Sequence, residues 1–376
     1  MYQMGKDLAI IHITDLHFPG GGGDPPWVKL FLDSVSDLAT NDNFKFYSIA
    51  VTGDLVNSPK KEAFDAVKTF LEKAAIAAGI VQNGQANWNR IWVVDGNHDW
   101  RLSGIFKTEG GIKEIGGINR LATPFLDDDG HFFVFGINSS KYGPIARGRV
   151  SFEDLRQLRL SIRDRITQAN LTNAYRIALL HHHLLPLPEP YNWDDVGFTR
   201  TLEKIINDES FKLLGNAGLV TSVLVENEIN LVLHGHEHKP FFARVRHLNH
   251  DSQNYTLCVA GGRAAHDGLH VVRFRSSGDV DLVPYEMDKA EYKQKRAIPL
   301  WQYEEWRAWL WERESKREGS YEKLTRKVYI TPGGDMISNT TIRGIRAGHK
   351  KKISEIPISS ASHWPNLGTA CISKVY

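Results

Sequence analysis

The sequence predicts an α/β fold of two sheets flanked by helices, and three observations carry that expectation. Short apolar runs alternate with stretches of helical periodicity as far as residue 233, which implies a sheet with helical crossovers. From Phe241 onward the apolar runs follow one another across short turns, which points to a second, more antiparallel sheet. Most runs of the first kind end in clusters of Asp, Asn or His, and in crossover sheets ligand sites collect beyond the carboxyl ends of the strands.

Taken in order, Leu8-Ala9-Ile10-Ile11-His12-Ile13 is the first buried strand. Asp15 and His17 stand just past its end, one residue apart and so able to point the same way. A glycine-rich loop from Gly20 to Pro26 leads into a helix from Trp27 to Ala39. The second strand, Phe46 to Val51, ends in Thr52-Gly53-Asp54, and a helix from about Lys60 to Ala78 follows it. Ile91 to Val94 is the third strand, ending in Gly96-Asn97-His98-Asp99. Residues 101–130 are glycine-rich and read as an irregular lid or rim over that edge.

His131 to Ile137 is a strand ending at Asn138-Ser139-Ser140, and Phe152 to Gln168 is a charged amphipathic helix. The strand Arg176 to Leu180 stops at His181-His182-His183. Thr201 to Asn227 is helical, interrupted near Gly215 and Gly218. Ile229 to Leu233 runs into His234-Gly235-His236-Glu237-His238. Phe241 to Arg246, Tyr255 to Ala260, Leu269 to Phe274 and Val280 to Pro284 make the second sheet, closing a domain of residues 1–287.

Residues 288–376 form an extension of different character. They hold 17 Lys and Arg against 10 Asp and Glu, a net of +7 on a body of net −5. Such an asymmetry hints at an anionic partner, although a single basic residue is ordinarily just solvated surface. Leu300 to Arg317 reads as a helix on which Leu300, Tyr303, Trp306 and Leu310 share a face. A stripe of that kind packs, on the body, on a second copy or on a protein partner. A β-rich tail with Pro332-Gly333-Gly334 and Lys350-Lys351-Lys352 follows.

Composition excludes some classes. No run of eighteen apolar residues suggests a membrane span. The first residues lack the basic start and apolar core of a secretory leader, and the two cysteines, Cys258 and Cys371, do not make a disulfide framework. A cytoplasmic enzyme is the expectation.

The polar strand ends gather Asp15, His17, Asp54, Asn97, His181, His236 and His238. One buried histidine is ordinarily a core residue. Seven oxygen and imidazole groups at five strand ends would be costly to desolvate without a cation. The set has no thiolate, which suits manganese, iron, zinc or nickel, and seven donors fit two ions sharing a carboxylate better than one. His98 is then available to donate a proton or a hydrogen bond to a reacting phosphoryl group, with Asp99 beside it to orient the ring.

Asp15-Leu16-His17, Gly53-Asp54, Gly96-Asn97-His98-Asp99, the His181 cluster and Gly235-His236-Glu237-His238 resemble, in order and spacing, the five signature blocks of the calcineurin-like metallophosphoesterases. The likeness spans roughly residues 8–286 and lies nearest the class III cyclic-nucleotide phosphodiesterase branch. It implies a four-layer α/β/β/α sandwich. By position it assigns Asp15, His17, Asp54 and His238 to one metal ion and Asp54, Asn97, His181 and His236 to the other, with Asp54 bridging and His98 catalytic. Family members often carry proline soon after the fourth-block histidine, whereas here Leu184-Leu185 precedes Pro186. That leaves His182 as an alternative to His181. The implied activity is hydrolysis of a small phosphodiester such as a cyclic nucleotide. A nuclease using the basic extension is the alternative, and a scaffold that has kept only the fold is the weakest reading. Substrate choice would lie in the loops 18–26, 100–130 and 184–200.

Overall fold

Strand β1 (Asp7–Ile13) explains how the layers arise. Successive side chains of a strand point to opposite faces, and here both faces are apolar. Leu8 and Ile10 enter one core, while Ala9, Ile11 and Ile13 enter another. The same division runs through β2 (Phe44–Thr52) and β3 (Ile91–Val94), where Ala50, Trp92 and Val94 face inward and Ile49, Val51, Ile91 and Val93 face outward.

The outward core is closed by α1 (Trp27–Asn41) and α2 (Lys61–Ala77), through Val28, Phe31 and Val35 and through Phe64, Val67, Phe70 and Leu71. The inward core lies against a second sheet containing β4 (Phe132–Gly136), β5 (Tyr175–Leu179) and β6 (Leu231–His234). It continues through that sheet to α3 (Phe152–Gln168) and α4 (Ala217–Glu226). The order is helices, sheet, sheet, helices. This computed structural model describes residues 7–301 apart from 22, 42–43, 103–105, 108–118, 121–122, 142–147, 169–173, 186–213, 237, 239–240, 247–255, 263 and 289–290, and beyond them the strands Val328–Ile330, Met336–Ser338 and Ile372–Val375.

The four later strands do not form a sheet of their own. β7 (Phe241–Arg246) and β8 (Thr256–Gly261) extend the second sheet, with β8 parallel to β6. β9 (Gly268–Phe274) and β10 (Val280–Asp288) return to the first sheet, where β9 lies antiparallel to β1 with Leu8 opposite Phe274. The physical reason is burial. β1 needs a neighbour on each edge, and β2 supplies only one. That sheet also continues past residue 287, because Glu291–Gln294 and Ile298–Trp301 both pair with β10.

Leu300 and Trp301 therefore belong to a strand and do not open a helix; the rest of the helix expected over 300–317 lies outside the described residues. Gly218 does not interrupt α4 but sits buried within it. The stretch 101–130 contains short paired strands, of which Asn119–Arg120 joins β3 and Phe125–Leu126 joins β4. Pro332-Gly333-Gly334 stands between two strands that pair antiparallel, Val328–Ile330 and Met336–Ser338. Among the described residues no helix is long and apolar enough to cross a membrane.

Trp92 is the largest side chain buried between the sheets, fully enclosed and edge-on to Phe132 at 6.0 Å between ring centroids. Trp92→Ala is expected to destabilise the fold by about 3–5 kcal/mol through lost burial and the cavity left behind. Urea denaturation followed by far-ultraviolet circular dichroism measures it; a loss under about 1 kcal/mol would show that the two sheets do not depend on this contact.

Candidate metal centre

Five loops at the carboxyl ends of β1, β2, β3, β5 and β6 meet at one edge of the sandwich. Their backbones are stitched together: Asp15 N donates to Gly53 O at 3.0 Å, His17 N to Asp54 O at 3.0 Å, and Gly235 N to His181 O at 3.0 Å. The stitching holds a costly conformation. Asp15, His17, Asp54, His236 and His238 have φ of 53°, 49°, 50°, 81° and 54°. Left-handed backbone is unusual for residues with a Cβ and collects at functional sites where surrounding contacts impose it.

Two groups of donors result. In the first, donor atoms of Asp15, His17 and His238 lie within 4.8 Å of one another. His238 Nε2 is 3.3 Å from His17 Nε2 and 3.4 Å from Asp15 Oδ1. In the second, Asp54, His181 and His236 are similarly gathered. His181 Nε2 is 3.0 Å from Asn97 Oδ1, 3.2 Å from His236 Nδ1 and 3.4 Å from Asp54 Oδ2. All seven residues singled out from the sequence thus fall in two adjoining groups.

The arrangement fits cations. In each group two imidazole nitrogens face each other at 3.2–3.3 Å, where at most one of the two can carry the intervening proton. Asp15 Oδ1 is buried and receives no hydrogen bond. Lone pairs converging on a shared point, with a carboxylate beside them, are the donor set of a divalent transition ion.

Electrostatics agree. Burial would raise the Asp54 carboxyl, but the neighbouring His181, His98 and His17 rings hold it well below the usual carboxylate range. Burial would lower His181, yet the Asp54 and Asp15 carboxylates outweigh it and raise that imidazole to about 9. Burial, reinforced by His181, takes His236 down to about 3. The Asp54 carboxylate thus draws positive charge to the second group, and a bound metal cation would supply it.

Between the two candidate fourth-block histidines the geometry is unequal. His181 Nδ1 lies 2.8 Å from Thr52 O, which orients Nε2 toward the group. His182 instead places Nδ1 2.9 Å from Ser139 Oγ. Ser139 Oγ also accepts the backbone N–H of His181 and of His182. It belongs to a fourth-strand loop whose polar ending was visible in the sequence without a role attached.

Asp99 does something other than orient His98. Its Oδ1 accepts the N–H groups of Leu55 and Val56 at 2.9 and 3.2 Å, and its Oδ2 accepts Gly96 N–H at 2.8 Å. The carboxylate is a clamp between the second and third loops, and His98 Nδ1 lies 3.4 Å from Asn57 O. Burial and the Asp54 and Asp95 charges push the Asp99 acid up, against the pull of the Gly96 amide and the His181 ring. His98 is only partly buried, donates its backbone N–H to Asp54 Oδ1 at 2.9 Å, and sets its ring edge-on to His17 at 5.2 Å.

The glycines of the blocks have a steric reason. A Cβ on Gly96 would collide with the Asp54 backbone nitrogen and carboxylate, and one on Gly235 with the Thr14 hydroxyl. Thr14 and Thr52, which hold Asp15 and His181, left no signal in the sequence because an isolated threonine beside a motif has no spacing of its own.

A two-sheet sandwich with paired Asp/His groups at one edge defines a metallophosphoesterase. The model of the calcineurin-like phosphoesterase family matches residues 8–240, and the chain belongs to that family. Among solved structures it is similar to the purple acid phosphatase PPD1 of yellow lupin (Lupinus luteus), at 14% identity and a TM-score of 0.44, covering 78% of this chain and 54% of that one. It is similar to GAP50 of Plasmodium, described as the anchor in the inner membrane complex, at 12% identity and 0.41, covering 81% and 95%. The 5'-nucleotidase of Candida albicans aligns at 12% identity and 0.34, covering 94% and 66%. The chain thus spans about half the length of the lupin phosphatase. No curated protein sequence matches it.

Proposed function

We propose that the chain is a dinuclear-metal-dependent phosphodiesterase cleaving a small phosphodiester such as a cyclic nucleotide. One observation carries the reading: two His/Asp donor groups lie side by side, joined through the Gly53–Asp54 backbone, with the His98 ring at the rim of the first. Asp15, His17 and His238 would hold one ion, Asn97, His181 and His236 the other, and Asp54 would serve both. Manganese, iron and zinc all suit this donor set. Such ions supply charge neutralisation at phosphoryl oxygens and an ionised water near neutral pH. The chain's own residues supply position: Asp54 fixes the His98 backbone, Asp99 fixes the loops on either side, and His98 can give its proton to the leaving oxygen.

The net +7 of residues 288–376 favours a second reading, a nuclease whose basic extension contacts the nucleic-acid backbone. The experiment uses the full chain loaded with Mn²⁺. Uptake of close to two ions is expected, with stabilisation of about 2.7 kcal/mol for each ion present at a hundred times its dissociation constant. Hydrolysis of 2′,3′- or 3′,5′-cyclic nucleotides and of bis-p-nitrophenyl phosphate, with little on single-stranded DNA, is the expected pattern. Preference for the oligonucleotide would select the nuclease. Absence of ions and of any thermal shift would remove both.

A further inference from the structure

The two oxygens of the Asp15 carboxylate are treated differently. Oδ2 accepts the Thr14 hydroxyl at 2.8 Å and the His236 N–H at 3.1 Å. Oδ1 receives no hydrogen bond and faces His238 Nε2 at 3.4 Å. A carboxylate tethered by one oxygen presents the other in a fixed direction, which is the usual way outer groups orient a ligand.

Thr14 stands at a second junction as well. Its Oγ is 3.1 Å from Thr52 O, the carbonyl that also lies 2.8 Å from His181 Nδ1. One fully buried hydroxyl therefore touches the support of both donor groups, the carboxylate of the first and the carbonyl that orients the imidazole of the second. The fit is close: a Cβ on Gly235 would strike this same oxygen. Gly235 keeps room for the Thr14 hydroxyl, and the hydroxyl in turn holds Asp15.

We propose that Thr14 is a positioning residue of the centre, whose hydroxyl aims Asp15 at the ion of the first group. The inference rests on the metal reading above. Its test compares Thr14→Ala with Thr14→Ser. Both lose the methyl that packs on Gly262, and they differ only in the oxygen. The primary measurement is ion affinity, read by competition of the full-length protein with a zinc or manganese chelator; near-ultraviolet circular dichroism monitors the fold.

Thr14→Ala is expected to weaken one of the two ions by about 10–100-fold, the scale of losing a group that orients a metal ligand. Thr14→Ser is expected to stay within about threefold of wild type. Equal weakening in both variants would overturn the proposal, since packing of the methyl would explain it. Equal affinity in all three proteins would overturn it too, while leaving the two-metal reading intact. A wild-type chain that takes up no ion would overturn the metal reading, and this inference with it. If the alanine protein does not fold, restoration of wild-type ion affinity in Thr14→Val, which has the shape without the hydroxyl, would count against the proposal; a deficit in Val with none in Ser would support it.

Discussion

Asp54→Asn is expected to cut turnover severely and to weaken the hold of the centre on its ions together. The Asp54 side chain is buried, with Oδ2 3.4 Å from His181 Nε2 and Oδ1 accepting the His98 N–H at 2.9 Å. An amide has the same shape but only one acceptor oxygen and no charge. Whichever way it turns, either His98 N–H or the His181 ring meets an NH₂ group. The carbonyl of residue 54 still receives His17 N–H, so the loops should stay stitched. Activity should fall by an amount on the order of 10³-fold, the effect of losing a principal electrostatic group. Elemental analysis should find well under two ions per chain. Full ion content with normal turnover would show that Asp54 is a structural acid, and that the two donor groups do not share it.

His98→Ala is expected to behave in the opposite way, keeping its ions and losing rate. The ring stands beside the first donor group without lying in either group, and its side-chain neighbour at 3.4 Å is a backbone carbonyl. Loss of general acid catalysis costs roughly 10²–10⁴-fold. The cost should depend on the leaving group. Nitrophenolate departs without much help, whereas the alkoxide of a ribose needs its proton. Hydrolysis of a cyclic nucleotide should therefore suffer far more than hydrolysis of bis-p-nitrophenyl phosphate. Equal losses on the two substrates would remove proton donation and leave His98 as an electrostatic stabiliser.

The seven side chains that gather in the two groups were legible in the sequence because each announces itself locally: an apolar run, then Asp, Asn or His at its end. What the sequence could not carry were relations between loops. Asp99 looked like a partner for the histidine beside it, yet its oxygens are taken by amides of Leu55, Val56 and Gly96, two of them some forty residues away. His181 and His182 are chemically identical in a row of three, and only the Thr52 and Ser139 contacts tell them apart. The sheets failed for the same reason. Strands β7 to β10 read as one antiparallel set because hairpin spacing is local, while the unpaired edge of β1 that draws β9 away is not. Gly218 was read as a break on propensity, but packing of α4 against the second sheet outweighs the roughly 1 kcal/mol that a helical glycine costs.

The pairing of β1 with β9 sets a timetable for the chain. Leu8 meets Phe274 across the ladder, so at about 5–20 residues per second a ribosome needs roughly 13–53 s to deliver the partner of the first strand. Through that interval β1 offers one open, apolar edge, the kind of surface on which nascent chains associate wrongly. The family match ends at residue 240, before that partner has been made. A fragment trimmed to the matched region would contain every proposed ligand and still lack the strand that closes the sheet beneath them. Just ahead of β9, Ala265 N donates to Thr14 O at 3.0 Å, so the residue next to Asp15 gains its last backbone partner only once synthesis has passed that point.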